Sequence, residues 1–358
     1  MDNFAFLLHP LDVSYLANWL PLGRFFPATA LEKFFSLLPP FRLSHITGIR
    51  SPHNEVEGWF FVCPLTSARM LQLPPEKAQK KIIAAGKMAE KNGAKILGLG
   101  AFTSVVGDAG ITVAKALNIP VTTGNSYTVA TAVEALLKAA QLMGIDLHRA
   151  EVTVVGASGS IGRVCALLLA RKTRYLNLVG RNRLALERVA GEIMYDCGLA
   201  VKVFSRPEQI LPESDLVLTV TAAVDCVIPP FLLKPGAVVC DVARPRDVSQ
   251  QVARERDDVL VIEGGLVEVP GEVDFGFDFG LPSGLAYACM AETMILALER
   301  RYESFTLGRE ISLAQVEEIA ALAAKHGFKL AALRSFGRPV TEETVARIRE
   351  RAKKVAGF

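Results

Sequence analysis

Three sets of residues carry chemistry in this sequence, each recognisable by type and spacing. The first is Gly156-Ala157-Ser158-Gly159-Ser160-Ile161-Gly162, between the apolar run 152–155 and a helical pattern. At such a turn the backbone N–H groups and the helix dipole receive a pyrophosphate. Glycine is needed where a side chain would block the phosphate or hold the helix off the strand. Gly156, Ser158, Gly159, Ser160, Ile161 and Gly162 are therefore candidate nucleotide contacts. The second set is Arg181-Asn182-Arg183, at the end of the next strand-like run. A site for NAD places Asp or Glu there to hold the ribose 2′-hydroxyl, whereas guanidinium forks match a 2′-phosphate, which predicts NADPH. Arg181 is the firmer choice, because Arg183 also reads as a solvated residue at a helix start. Thr221 and Ala222, after the strand-like run 216–220, fall at a usual edge of a dinucleotide crevice.

The third set centres on Cys289, in Ser283-Gly284-Leu285-Ala286-Tyr287-Ala288-Cys289-Met290-Ala291-Glu292. The pattern places it in the first turn of a helix, where the dipole and unpaired backbone donors favour a thiolate. Composition alone makes a cysteine at an apolar helix position a packing residue. Thr123, Gly124, Asn125 and Ser126 form a polar break between strand and helix, suited either to closing over substrate or nicotinamide or to capping the helix. Five histidines without an HxxxH pair, and cysteines without zinc spacing, give metal chemistry no support. Serine at 160 removes the Gly-x-Ser-x-Gly hydrolase elbow. His326, just before Gly327, reads as a helix C-terminal residue.

The elements that must position these residues alternate between strand and helix. Strands are predicted over 57–62, 95–99 and 120–122, with helices over 75–92, 110–117 and 127–144; a second series follows with strands at 152–155, 175–179, 216–220, 237–240 and 259–262. Helices over 163–172 and 184–194 lie between the early strands of that series, and helices over 286–302, 313–326 and 342–356 close the chain. The fold class is α/β: a Rossmann-like doubly wound parallel sheet with a smaller N-terminal α/β domain and C-terminal helices. The expected domains are 1–148, the N-terminal substrate domain; 149–270, the NADPH-binding Rossmann domain; and 271–358, a helical segment that carries the nucleophile and packs back on the substrate domain.

The 358 residues suffice for about two domains. With 51% hydrophobic and 22% charged residues the chain is a folded globular protein, and a formal charge of +3 excludes a molecule-wide surface for nucleic acid or anionic lipid. Six cysteines without a CxxC pair suggest a reducing compartment, and residues 1–20 lack a basic start followed by an apolar core, so the expected localisation is cytoplasmic. No run is long and apolar enough for a membrane span. The first 43 residues interleave Phe4, Phe6, Phe25, Phe26, Phe34, Phe35 and Phe41 with five prolines. That texture fits an apolar cavity or peripheral membrane contact, but an irregular arm packed on its own domain is the favoured reading.

Taken as an ordered set, several stretches resemble the long-chain acyl-[acyl-carrier-protein] reductases, the NADPH-dependent, aldehyde-forming enzymes of cyanobacterial type. They are Thr122-Thr123-Gly124-Asn125, the glycine loop, Arg181-Asn182-Arg183, Glu263-Gly264-Gly265 with Val267-Glu268, Ala288-Cys289 with Ala291-Glu292, Gly308-Arg309, and His326-Gly327-Phe328. The resemblance spans about residues 44–328. It implies reduction of a long-chain fatty acyl thioester, carried by acyl carrier protein or CoA, to the fatty aldehyde, with Cys289 taking the acyl group as an enzyme thioester. It further implies an aldehyde-consuming enzyme as a candidate partner. Oxyanion donors would come from the helix start or from Asn125 and Ser126. The Phe/Pro-rich start, Asp241-Val242-Ala243-Arg244-Pro245 and the Gly/Pro-rich stretch 270–282 depart from the family pattern. From Lys325 onward nine basic residues face three acidic ones, either a docking surface for an acidic carrier or a solvated basic helix. Competing readings are a shikimate-type or amino-acid dehydrogenase with direct hydride transfer, and a non-catalytic nucleotide-binding protein.

Overall fold

A computed structural model of the chain describes residues 2–14, 27–223, 226–355 and 357. Pro21, Phe25, Phe26 and Ala356 lie outside the described residues. The chain divides into two compact units: Met1–Tyr127 with Val267–Lys329, and Thr128–Leu266 with Leu330–Phe358. The sequence pattern places one boundary at 148/149 and keeps 271–358 as a single segment. In the structure residues 267–329 group with the N-terminal unit and residues 330–358 with the unit of the glycine loop.

The first unit is built on a six-stranded sheet in the order Gly271–Asp274, Phe41–Arg50, Glu55–Val62, Asp2–Leu8, Leu97–Leu99, Val121–Thr122. The last four strands of that order run parallel, and the pairs at the other edge are antiparallel. Asp2–Leu8 therefore lies inside the sheet, which corrects the reading of the N-terminal stretch as an irregular arm. Phe4, Ala5, Phe6 and Leu7 are fully buried. Their aromatic rings fit because the facing strands carry glycine: a Cβ at Gly58 would lie 2.5 Å from the Phe4 ring, and one at Gly98 would collide with the Phe6 ring. Burying two phenylalanines removes enough apolar surface to contribute roughly 2–3 kcal/mol each.

Over this sheet packs the helix Ala288–Leu298, in contact with Asp2–Leu8 and Leu97–Leu99. Apart from Glu292 and Thr293 its sequence is apolar, as a core helix requires, and ten of its eleven residues are buried; Cys289 alone is partly open. The helix starts two residues later than expected, after a short strand Leu285–Tyr287, and ends four earlier, because Arg300 adopts φ 58° and turns the chain away.

The second unit holds a six-stranded, wholly parallel sheet in the order Leu260–Glu263, Val238–Asp241, Leu216–Thr219, Glu151–Val155, Tyr175–Val179, Lys202–Phe204. Numbered along the chain from Glu151–Val155, this is the doubly wound order 3-2-1-4-5-6, with its switch point between Glu151–Val155 and Leu216–Thr219. The central strands are continuous buried runs because helices cover both faces of such a sheet. The fold class is α/β, as the sequence predicts.

Candidate functional site

Two clusters of candidate residues emerge, one in each unit. In the second unit the glycine loop leaves the strand Glu151–Val155 at the switch point. Gly156 adopts φ 87°, and a Cβ there would collide with the Val220 carbonyl oxygen and lie 3.4 Å from Thr221 Cγ2. A Cβ at Gly162 would stand 2.8 Å from the Gly156 carbonyl carbon, so the helix Ser160–Ala170 approaches the loop as only glycine permits. Gly159 is the N-cap of that helix and offers no capping side chain, which leaves its first backbone N–H groups directed outward. Ser158 Oγ would lie 3.1 Å from a Cβ on Gly180, the residue before Arg181. The loop, the Arg181–Arg183 turn and Thr221 thus share the carboxyl edge of one sheet, and the cradle fits a dinucleotide pyrophosphate.

The three residues of the basic turn differ. Asn182 caps the helix Arg183–Cys197, its side chain accepting from the Ala185 N–H at 3.1 Å. Arg183 donates to Glu187 at 2.8 Å, one helical turn on. Arg181 is exposed and makes no ion pair with the described residues. At the opposite lip Thr221 is held by Asp247, which accepts from its backbone N–H at 2.8 Å and from its hydroxyl, and also from the Thr219 hydroxyl at 2.6 Å. Burial pushes the Asp247 carboxyl up. Asp241, which accepts from the Ala243 and Val248 N–H groups at 3.1 Å each, is pushed up to about 6 by burial and by the nearby Asp247 charge, against the pull of Arg244. Sequence reasoning missed both acids, since neither belongs to a spaced motif.

In the first unit the Thr122–Ser126 turn meets the start of the helix Ala288–Leu298. Gly124 adopts φ 73°, and a Cβ there would lie 2.5 Å from both Cys289 Cβ and the Cys289 carbonyl oxygen. Cys289 is the second helical residue, and the N-cap, Tyr287, supplies no side-chain hydrogen bond. Around the turn, Thr123 donates from its N–H and hydroxyl to the Thr306 carbonyl at 2.9 and 3.1 Å, and Ser126 Oγ lies 2.8 Å from Thr306 Oγ1. The Asn125 side chain is nearly buried and makes no hydrogen bond to a described residue.

Beneath the turn lies Glu292, the single charge of its helix and fully buried. It accepts from Thr122 Oγ1 at 2.5 Å, Thr306 Oγ1 at 2.8 Å and the Tyr127 N–H at 2.9 Å, with a further hydrogen bond from the Gly124 backbone. Burial raises its pKa, and these donors offset part of the rise. One signal could have found it: an acid three residues after Cys289 in an otherwise uncharged helix.

His326 ends the helix Leu313–His326 before the left-handed cap Gly327, between Ser51 at 3.1 Å and Glu299 at 2.7 Å. Of the cysteines, Cys63, Cys165 and Cys240 are buried, Cys197 and Cys289 are partly open, and Cys226 is exposed, because the chain there lies outside the strands. Among the described residues no group of His, Cys, Asp and Glu is arranged to hold a metal ion, and no helix is long and apolar enough to cross a membrane.

Strand order and glycine loop together define an α/β protein with a Rossmann-type nucleotide unit. Residues 137–263, which fall in that unit, match the shikimate / quinate 5-dehydrogenase family model. The chain is similar to the aminotransferase PigE of Serratia sp., with 34% identity over 97% of this chain and 42% of that protein, so it spans less than half of that relative's length. It is also similar to the long-chain acyl-[acyl-carrier-protein] reductase of Synechococcus elongatus, 29% identical over 84% of this chain and 90% of that one. Among solved structures, the nucleotide-binding domain of glutamyl-tRNA reductase from Thermoplasma volcanium covers 37% of this chain and 84% of its own, at 14% identity and a TM-score of 0.26. The malic enzyme of Entamoeba histolytica covers 98% and 70%, at 14% identity and a TM-score of 0.44.

Proposed function

We propose that this protein is an NADPH-dependent reductase that converts a long-chain fatty acyl thioester to the fatty aldehyde through an acyl thioester on Cys289. The observation that carries the reading is the seat of Cys289: the one partly open residue of a buried helix, at its second position, with the Gly124 turn against it. The likeness to the Synechococcus reductase over 90% of that enzyme supports the same substrate class.

In this reading residues 1–127 with 267–329 form the substrate unit, and 128–266 with 330–358 the cofactor unit. The Cys289 thiolate attacks the acyl carbon; its S–C bond forms as the carrier S–C bond breaks, and the carrier thiol leaves with a proton. One thioester replaces another, so the exchange is close to thermoneutral. The helix-start N–H groups and the Asn125 amide are the donors available to the developing oxyanion. NADPH, when bound, supplies the hydride that reduces the acyl carbon. Release of aldehyde with return of Cys289 to a thiolate gives the net reaction thioester + NADPH + H⁺ → aldehyde + thiol + NADP⁺. Gly156 to Gly162 would hold the pyrophosphate and Arg181 the 2′-phosphate, with Thr221 and Ala222 at the crevice edge. Arg254, Arg338 and Arg347 line an open cavity of about 540 Å³ in the cofactor unit, a basic surface that suits an acidic acyl carrier protein.

The test is incubation with a long-chain acyl thioester and NADPH, following absorbance at 340 nm and aldehyde by gas chromatography. Wild-type protein should form aldehyde and carry an acyl mass on Cys289; aldehyde production by Cys289→Ala would overturn the covalent route. A second reading, direct hydride transfer to a small polar substrate, is favoured by the dehydrogenase family match, although that match lies within the cofactor unit. NADP⁺ reduction with shikimate or quinate would establish it.

A further inference from the structure

Glu292 poses a physical question that the covalent route leaves unanswered. A buried carboxylate costs several kcal/mol of solvation, normally offset by a cation. Here no cationic side chain pairs with it among the described residues; its partners are two hydroxyls and two backbone N–H groups. A leucine in the same core would bury itself without that cost. What a carboxylate adds is four acceptor sites, and these gather Thr122 and Tyr127, the residues on either side of the Thr123–Ser126 turn, together with Thr306, onto the helix that carries Cys289. Thr306 in turn holds Thr123 and Ser126.

We propose that Glu292 is a positioning residue for Cys289. It clamps the Thr122–Tyr127 turn against the first turn of the Cys289 helix, so that the donors there meet the acyl oxygen when the thiolate attacks. The inference rests on Cys289 being the acyl carrier. Glutamine at 292 keeps the size, but with its carbonyl oxygen toward the Tyr127 N–H it turns an NH₂ on the Thr122 and Thr306 hydroxyls that donate to the carboxylate; both hydroxyls must reverse, and Thr122 Oγ1, which already accepts from the Thr306 N–H, loses its acceptor, so the turn loosens. Displacement of reacting groups by about 1 Å costs roughly 100-fold in rate.

The test separates positioning from folding by two reactions of the same thiol. Acylation by a long-chain acyl thioester requires the donors at the acyl oxygen; alkylation by iodoacetamide forms no oxyanion. Glu292→Gln should slow Cys289 acylation about 30- to 100-fold, read as the rate of adduct formation by intact-mass spectrometry. Alkylation should stay within about threefold of wild type, and KM should change far less than kcat. If acylation is unchanged, or if both reactions fall together, Glu292 has no positioning role. Should the glutamine variant fail to fold, Glu292→Asp keeps the charge and withdraws it by one methylene; it should show the same split at smaller size, and its absence overturns the inference. Turnover by Cys289→Ala would instead remove the underlying function, an outcome read in a different variant.

Discussion

Gly124 packs so closely on Cys289 that a methyl group at residue 124 would lie 2.5 Å from the Cys289 Cβ. The contact joins two stretches 165 residues apart in the chain, and it fixes the polar turn at the start of the Cys289 helix. Gly124→Ala is therefore expected to do double damage: the left-handed φ of 73° costs about 1 kcal/mol for a non-glycine residue, and the methyl group forces turn and helix apart. Thioester reductase activity should fall at least about tenfold, with a lowered melting temperature. Wild-type kcat/KM in Gly124→Ala would show that the turn has no part in the chemistry.

The two clusters were legible to different degrees. The second unit could be read because each signal is local: glycines spaced along one strand-to-helix turn, and buried strands as short apolar runs. Asp2–Leu8 was not, because what makes its phenylalanines a sheet interior is glycine at 58 and 98, far along the chain, while nearby prolines suggest irregular structure. Glu292 was visible as a letter in a motif but not as a clamp, since Thr122 and Tyr127 lie 170 and 165 residues away. Asp247, 26 residues beyond Thr221, was hidden because it belongs to no spaced motif.

The basic turn makes a prediction that distinguishes its two arginines. Arg183 is engaged with Glu187, whereas Arg181 has no such partner. A charge-assisted hydrogen bond to a 2′-phosphate contributes about 1.5–3 kcal/mol, so Arg181→Ala should weaken NADPH binding by roughly 10- to 100-fold and leave NADH binding unchanged. Arg183→Ala should alter NADPH affinity by no more than about threefold. Fluorescence titration of both cofactors against the two variants decides the matter; equal losses for NADPH and NADH would show that Arg181 does not read the phosphate.

Thiol labelling should sort the six cysteines by burial. Cys63 is pushed up to about 12 by burial, and Cys165 and Cys240 are pushed up by the same cause. These three should resist iodoacetamide in the native state, whereas exposed Cys226 and partly open Cys197 and Cys289 react. Prior incubation with a long-chain acyl thioester without NADPH should protect Cys289 and leave Cys226 labelled, as read by peptide mass spectrometry. Protection of Cys226 in place of Cys289 would move the acyl site.

Two buried groups with opposite shifts should shape stability below neutral pH. His9 is enclosed, accepts from the Phe102 N–H at 3.0 Å, and is driven by burial from 6.5 to about 4. Its folded-state pKa lies below the unfolded one, so its contribution is present above about pH 6.5 and is lost as pH falls towards 4, by up to about 3 kcal/mol. Asp241 runs the other way. Its folded-state pKa of about 6 exceeds the ordinary 3.8, so its contribution is full below about pH 4 and is lost as pH rises through 6, by a similar amount. The two residues fall in different units, and Trp59 belongs to the unit of His9. Urea unfolding followed by tryptophan fluorescence should therefore show a midpoint that drops on acidification from pH 6.5 to 4.5, and a flatter profile in His9→Gln. Far-ultraviolet circular dichroism, which also reports the second unit, should show Asp241→Asn removing a loss of stability between pH 4 and 6. If the fluorescence-detected midpoint has the same pH slope in His9→Gln as in wild type, the histidine is not held neutral by the fold.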